Sequence, residues 1–184
     1  PRRSLTVRTL KISEGRVELD GRTVFASDAG FDAFIREAFK SRDSANMKFY
    51  KMDSACKLAY VAAEWILDGI EFGEEECAVL MSGRYGSLDT DMKHQSIIDR
   101  EGDDYAAPSV FVYTLPNVAA AEISIRHHIK GENIWFSDAP MAELRHQAEL
   151  ASARESLKYC LVGRSDFING EYLAIFELLL FGEV

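Results

Sequence analysis

The chain has 184 residues, 47% of them hydrophobic and 28% charged, the balance of a globular chain long enough to bury one sizeable core. Its net charge of −9 argues against nucleic acid as a main partner, because phosphate backbones are met by clustered Lys and Arg. The longest apolar tract, Tyr172 to Phe181, is interrupted by Glu177 and reaches about half the length of a membrane-spanning helix, so no membrane association is expected.

The basic start, Pro1-Arg2-Arg3, is followed by no long apolar stretch, and no signal peptide is expected. Cys56, Cys77 and Cys160 have no metal-ligand spacing and an odd count, which suits a reducing cytoplasm. Neither a metal nor a cofactor is expected. No repeat or low-complexity linker divides the chain, so residues 1–184 read as a single domain.

In chain order, Arg16 to Phe25 alternates in character around Asp20-Gly21, a hairpin signal because that pair accepts the positive φ angles of a tight turn. Phe31, Phe34, Ile35, Ala38 and Phe39 recur at helical spacing. Ser41 to Asn46 is polar and reads as a loop. Met52, Cys56, Ala59, Ala63 and Ile66 share one face of a helix that Asp68-Gly69 closes. Cys77 to Met81 reads as a buried strand running into a glycine turn, Ser82 to Gly86. Ser87 to Ala107 is mostly polar and reads as a surface loop with some helix.

Thr114 is a candidate cap for a helix with Pro116 in its first turn, and Val118, Ala121, Ile125 and Ile129 would share its buried face. Lys130-Gly131 would end it, pairing a cation with the helix dipole. Ile134 to Phe136 is a short strand, Met141 to Leu157 a helix, Tyr159 to Val162 a strand ending at Gly163, and Glu171 to Phe181 a last apolar strand. Helices and strands alternate, which points to an α/β layered domain.

From Tyr50 to Gly163 the chain resembles the N-terminal half of a β-ketoacyl synthase, a thiolase-fold enzyme of fatty acid and polyketide synthesis. Lys51-Met-Asp53 with its alanine-rich helix, and Ala78-Val-Leu-Met-Ser-Gly83, carry part of the likeness. Most specific is Pro108-Ser-Val-Phe-Val-Tyr-Thr-Leu-Pro-Asn-Val-Ala-Ala-Ala-Glu-Ile-Ser-Ile125 with Ile129-Lys-Gly-Glu-Asn133. The resemblance implies an α/β, thiolase-like N-terminal half with helices layered on a mixed five-stranded sheet.

In that family the strand after the Lys-Gly turn leads to a Thr-Ala-Cys motif at a helix head, where the cysteine attacks an acyl thioester. Here the same spacing gives Asp138-Ala139-Pro140. Proline has neither a nucleophilic atom nor an N–H for an oxyanion, yet it fits the first turn of a helix, with Asp138 or Ser137 as cap. No catalytic residue is therefore assigned. The family's two histidines and lysine come from a C-terminal half, and His94, His127, His128 and His146 match none of those motifs. His127 and His128 read as a solvated helix end, and the three cysteines as buried structural thiols. Ser82, Gly83 and Arg84 are candidates for cradling a phosphate, such as that of a pantetheine arm, although a plain tight turn explains them as well. Glu74-Glu75-Glu76 reads as a solvated loop.

These readings make the chain a catalytically silent ketosynthase-like subunit, similar to the family's chain-length factors. It would form a homodimer, or a heterodimer with an active ketosynthase, through Ile134, Trp135 and Phe136, with an acyl carrier protein as a further partner. Two alternatives stand beside this: a thioester-handling acyltransferase with a non-standard site, and the N-terminal piece of a longer 3-oxoacyl synthase.

Overall fold

Residue-glycine pairs turn the chain back on itself at the start of the sheet. In the computed structural model, which describes residues 3–42, 45–102 and 108–182, β1 (Ser4–Ser13), β2 (Arg16–Leu19) and β3 (Arg22–Ala26) are joined by Glu14-Gly15 and Asp20-Gly21. All four turn residues have positive φ, between 48° and 76°, the geometry whose twist matches that of flanking antiparallel strands. The Asp20-Gly21 hairpin is as expected, but β1 is an addition. Its alternation is obscured by a bulge between Thr6 and Arg8. The Arg8 guanidinium lies on the helix-covered face and donates to the carbonyls of Ile66 and Asp68 at 2.9 and 2.7 Å.

The remaining strands are β4 (Cys77–Gly83), β5 (Asn133–Ser137), β6 (Tyr159–Ile168) and β7 (Glu171–Phe181). One mixed sheet holds all seven in the order β3-β2-β1-β7-β6-β4-β5. β4, β5 and β6 are mutually parallel, and β7 is antiparallel to both β6 and β1. The expected five-stranded sheet is thus seven-stranded, with the β2–β3 hairpin extending it beyond β1.

Helices α1 (Phe31–Lys40), α2 (Ser54–Ile66) and α5 (Val118–His127) cover one face. Helix α6 (Met141–Arg154) covers the other, over Leu80, Val162, Leu179 and their neighbours. At the carboxyl ends of the parallel strands lie α3 (Leu88–Glu101), α4 (Pro108–Phe111) and a 3-10 turn, Val112–Thr114. The stretch read as a surface loop from Ser87 is therefore mainly helix α3. Residues 103–107 of it, and residues 43–44 of the loop before α2, lie outside the described residues. The Asp53 carboxylate caps α2 by accepting the Cys56 N–H at 2.8 Å. From Leu58 to Ile66 every α2 residue is buried, so its alanines let α1, α5 and the sheet approach closely.

Four local expectations are corrected. Helix α5 is capped at Asn117, with Pro116 before the cap and Thr114 inside the 3-10 turn. It ends at His128, whose φ of 54° makes it the left-handed residue, not at Lys130-Gly131. Its buried residues are Ala119, Ala120, Glu122 and Ile123, while Ile125 of the expected core face points outward. Both stripes of α5 are apolar, and the sheet takes the one whose alanines permit close packing. Strand β6, finally, runs through Gly163 to Ile168. A Cβ at Gly163 would lie 2.4 Å from the Phe176 ring, so glycine here makes room for an aromatic side chain rather than a turn.

Candidate functional site

The carboxyl ends of β4, β5 and β6 form the place where an α/β sheet ordinarily presents its chemistry. From β5 the chain passes through Asp138-Ala139 to Pro140, which is the N-cap of α6 with φ −70° and ψ 160°. Neither Ser137 nor Asp138 caps the helix. Asp138 takes a left-handed φ of 50°, donates its N–H to the Gly83 carbonyl at 3.0 Å, and accepts the Arg164 guanidinium at 2.7 Å. Arg164 also donates to the Ala139 carbonyl at 2.9 Å. The Pro140 carbonyl accepts the N–H groups of Glu143 and Leu144. The helix head is thus braced from β6, and residue 140 itself has no side chain that can be deprotonated.

Ser82 and Gly83 are not in a loop; they close β4 and are buried. A Cβ at Gly83 would lie 2.6 Å from the Ser165 carbonyl and 3.1 Å from Trp135. The next free amide, that of Tyr85, donates to the Asp166 carboxylate at 2.9 Å. Arg84 is exposed and lies 5.8 Å from the Tyr85 ring. Ser82 and Gly83 therefore form a packed strand end, with Arg84 exposed just beyond it.

A cleft that single-residue reading did not find opens beside them on the α2–α5 face. Its empty space, including the open mouth, is about 330 Å³. Met81, Trp135 and Ser165 supply its floor from three strands; Asp53, Cys56 and Tyr113 line its side. The Ser165 hydroxyl is buried without a hydrogen-bond partner among the described residues. Burial pushes the Asp53 carboxyl above its ordinary range against the opposing hydrogen bonds from Thr90 and the Cys56 amide. Burial likewise raises Tyr113 to about 12 and holds the Cys56 thiol well above its usual value, with Asp53 adding to the effect. A neutral thiol beside an acid is not an activated nucleophile.

Cys77 and Cys160 are equally buried, and burial pushes Cys77 up to about 12. The four histidines are scattered. His94 lies on α3 near Phe111, His146 is exposed on α6, and His128 closes α5. His127 is not simply solvated: its Nε2 lies 3.2 Å from the buried Glu64 carboxylate. Among the described residues no group of three His, Cys, Asp or Glu side chains could hold a metal ion. No described helix is long and apolar enough to cross a membrane.

β5 is the outer strand on its side of the sheet. Ile134, Trp135 and Phe136 are half-buried on it, and their register with Leu80, Met81 and Ser82 is regular. The opposite outer strand, β3, is paired across a bulge between Val17 and Glu18, a distortion that protects edges.

No protein-family model and no curated protein matches the sequence. Solved structures do. The ishigamide ketosynthase/chain length factor superposes with a TM-score of 0.72 at 15% identity, over 99% of this chain and 63% of that one. A ketosynthase in complex with its chain length factor from Xenorhabdus doucetiae gives 0.66 at 12% identity, over 99% of this chain and 80% of that one. A type II polyketide synthase acyl-carrier protein in complex with its ketosynthase bound to the hexaketide gives 0.71 at 13%, over 98% and 63%. The chain thus spans less than two thirds of the first and third of these, and the likeness is one of fold: a ketosynthase-like thiolase fold.

Proposed function

We propose that this chain, a domain of ketosynthase-like thiolase fold, is a catalytically silent subunit that works beside an active ketosynthase in acyl carrier protein-dependent synthesis of fatty acids or polyketides, including the aryl-polyene type. One observation carries the reading: Pro140 stands at the head of α6, where the resemblance implies the nucleophilic cysteine. Covalent acyl transfer needs an ionisable nucleophile and donors for the oxyanion, and proline supplies neither. Elsewhere the described thiols are buried and protonated.

The contact surface of this reading is β5, through Ile134, Trp135 and Phe136. An unbulged, largely apolar outer strand offers unpaired backbone groups to a second strand. The structural neighbours include a ketosynthase with its chain length factor and a ketosynthase with its acyl-carrier protein, which supports a heterodimer with an active ketosynthase and contact with a carrier protein. Three free thiols fit a reducing cytoplasm. A thioester-handling enzyme with a non-standard site has less support, since no described thiol or hydroxyl at the cleft has a histidine base beside it. For the N-terminal piece of a longer synthase, Pro140 carries the same consequence.

The test is to incubate the protein with acyl and malonyl carrier-protein thioesters and follow products by mass spectrometry. No acyl-enzyme and no condensed product are expected. Condensed product from the wild-type chain alone overturns the reading.

A further inference from the structure

The cleft on the α2–α5 face owes its room to small residues. Gly83 ends β4, and a Cβ there would lie 3.1 Å from the Trp135 ring. Glycine leaves that ring its place in the floor, beside Met81 and Ser165. Ala59 of α2 and Ala119 of α5 also line the cleft, and their short side chains keep the helices from filling it. The empty space of about 330 Å³, mouth included, is at the lower end of the range for small-molecule sites, about 300–1,000 Å³.

Two polar groups of the lining are engaged within the fold. The Asp53 carboxylate accepts the Cys56 N–H at 2.8 Å and also the Thr90 hydroxyl. The Ser87 hydroxyl donates to the Thr114 carbonyl at 2.7 Å. Ser165 is different: the residue is 5% exposed, and its hydroxyl meets no partner among the described residues. A buried hydroxyl left unpaired is costly unless something that enters the cleft pairs with it. Among the described residues no lysine, arginine or histidine lines the cleft, so nothing there would neutralise an anion, and the Asp53 carboxylate would repel one. Met81, Tyr113 and Trp135 offer a thioether and two rings, a lining that favours an aromatic guest.

We propose that this cleft binds a small neutral aromatic alcohol or phenol, with its ring against Trp135 and Met81 and its hydroxyl paired with that of Ser165. A hydroxyl suits the serine because each can both donate and accept. A carboxylate finds no cation here. An ammonium would have to leave water for a carboxylate that already has two donors. The site is separate from the head of α6. Met81 and Trp135 belong to the core under α2 and α5, and Ser165 pairs in register with Ala174 of that same core. Ala139 and Met141, which flank Pro140, pack on the other face of the sheet. The inference therefore does not rest on the silent-subunit reading.

The experiment titrates the protein alone, near neutral pH, with four probes that share a benzene ring and differ in the group attached to it: benzyl alcohol, toluene, benzoate and benzylamine. Saturation-transfer NMR reports contact, and calorimetry reports affinity. Benzyl alcohol should bind with a Kd on the order of 1 mM or tighter. Toluene should bind roughly five- to tenfold more weakly for want of the hydroxyl, and the two charged probes more weakly still. Ser165→Ala should remove the preference for benzyl alcohol over toluene. It should not lower the thermal unfolding midpoint, because the hydroxyl holds no partner in the fold. Ala119→Leu, which fills the space, should abolish binding of both neutral probes; if that variant does not fold, the Ser165 comparison decides alone. Absence of contact with every probe overturns the proposal. So does a charged probe or toluene that binds as tightly as the alcohol, or an alcohol preference that survives Ser165→Ala. No thioester enters this measurement, so its failure is separate from failure of the silent-subunit reading.

Discussion

Arg164 sits on strand β6 and Asp138 just past the end of β5, with β4 between the two strands, yet the guanidinium reaches the carboxylate at 2.7 Å and the neighbouring Ala139 carbonyl at 2.9 Å. The bond braces the left-handed turn that delivers Pro140 to the head of α6. Arg164→Ala should lower stability by about 1–2 kcal/mol, the range for a charge-assisted pair that leaves a carbonyl unmet. Arg164→Lys should recover only part of this, because lysine cannot fork between two acceptors. Urea unfolding measures both; an unchanged midpoint for the alanine variant would mean that the turn holds without its brace.

Gly163 and Phe176 give a second, steric prediction. A Cβ at residue 163 would meet three ring carbons at 2.4–2.6 Å. Gly163→Ala should cost about 2 kcal/mol through overpacking. Phe176→Leu removes the ring, so the double variant should be less destabilised than the sum of the two single changes. Strict additivity in chemical denaturation would show that the ring is not what excludes the methyl.

The buried Glu64 makes the acid limb of stability predictable. Burial pushes its carboxyl up, but hydrogen bonds and charge from His127 and Arg126 outweigh that and hold it at about 2, against an ordinary value of 4.5. A lowered folded value means that the contribution is fully present above about pH 4.5 and is lost as pH falls toward about 2. Glu64→Gln should therefore flatten the pH dependence of stability in that window by up to about one proton and leave its shape above pH 5 alone. An identical slope in the two proteins would place the ion pair outside the folding equilibrium.

Thiol labelling tests the site from another side. The native protein should show no fast-reacting thiol, because Cys56, Cys77 and Cys160 are buried and their protonated forms are favoured. In denaturant all three should react. Pro140→Cys should add one accessible thiol at a helix N-terminus, since residue 140 is exposed. That variant should accept a thiol label and still give no condensed product; turnover would mean that a base and an oxyanion site are already assembled nearby.

Local pattern was enough to place much of the chain. The helices at Phe31, Ser54 and Met141, the strands at Cys77, Asn133 and Glu171, and the Asp20-Gly21 turn all follow from periodicity and turn chemistry that neighbouring residues settle among themselves. The proline at residue 140 is likewise a fact of sequence, and so is its lack of a nucleophile. Asn169-Gly170, with φ of 50° and 85°, is an equally plain hairpin signal. Pattern alone passes over it because a glycine at 163 reads as the end of the strand, whereas its role depends on a ring thirteen positions away in the chain.

Tertiary structure decided what two-sided apolar segments do. Helix α5 offers two apolar stripes, and the pairing of its buried Glu122 with Lys48 and of its Arg126 with the buried Glu64 goes with the turn that leaves Ile125 outward. The cleft among Asp53, Tyr113 and Ser165 joins residues more than a hundred positions apart. No periodicity spans that distance. Periodicity records how a residue stands to its neighbours along one element; which face of that element is covered depends on what the other elements bring to it.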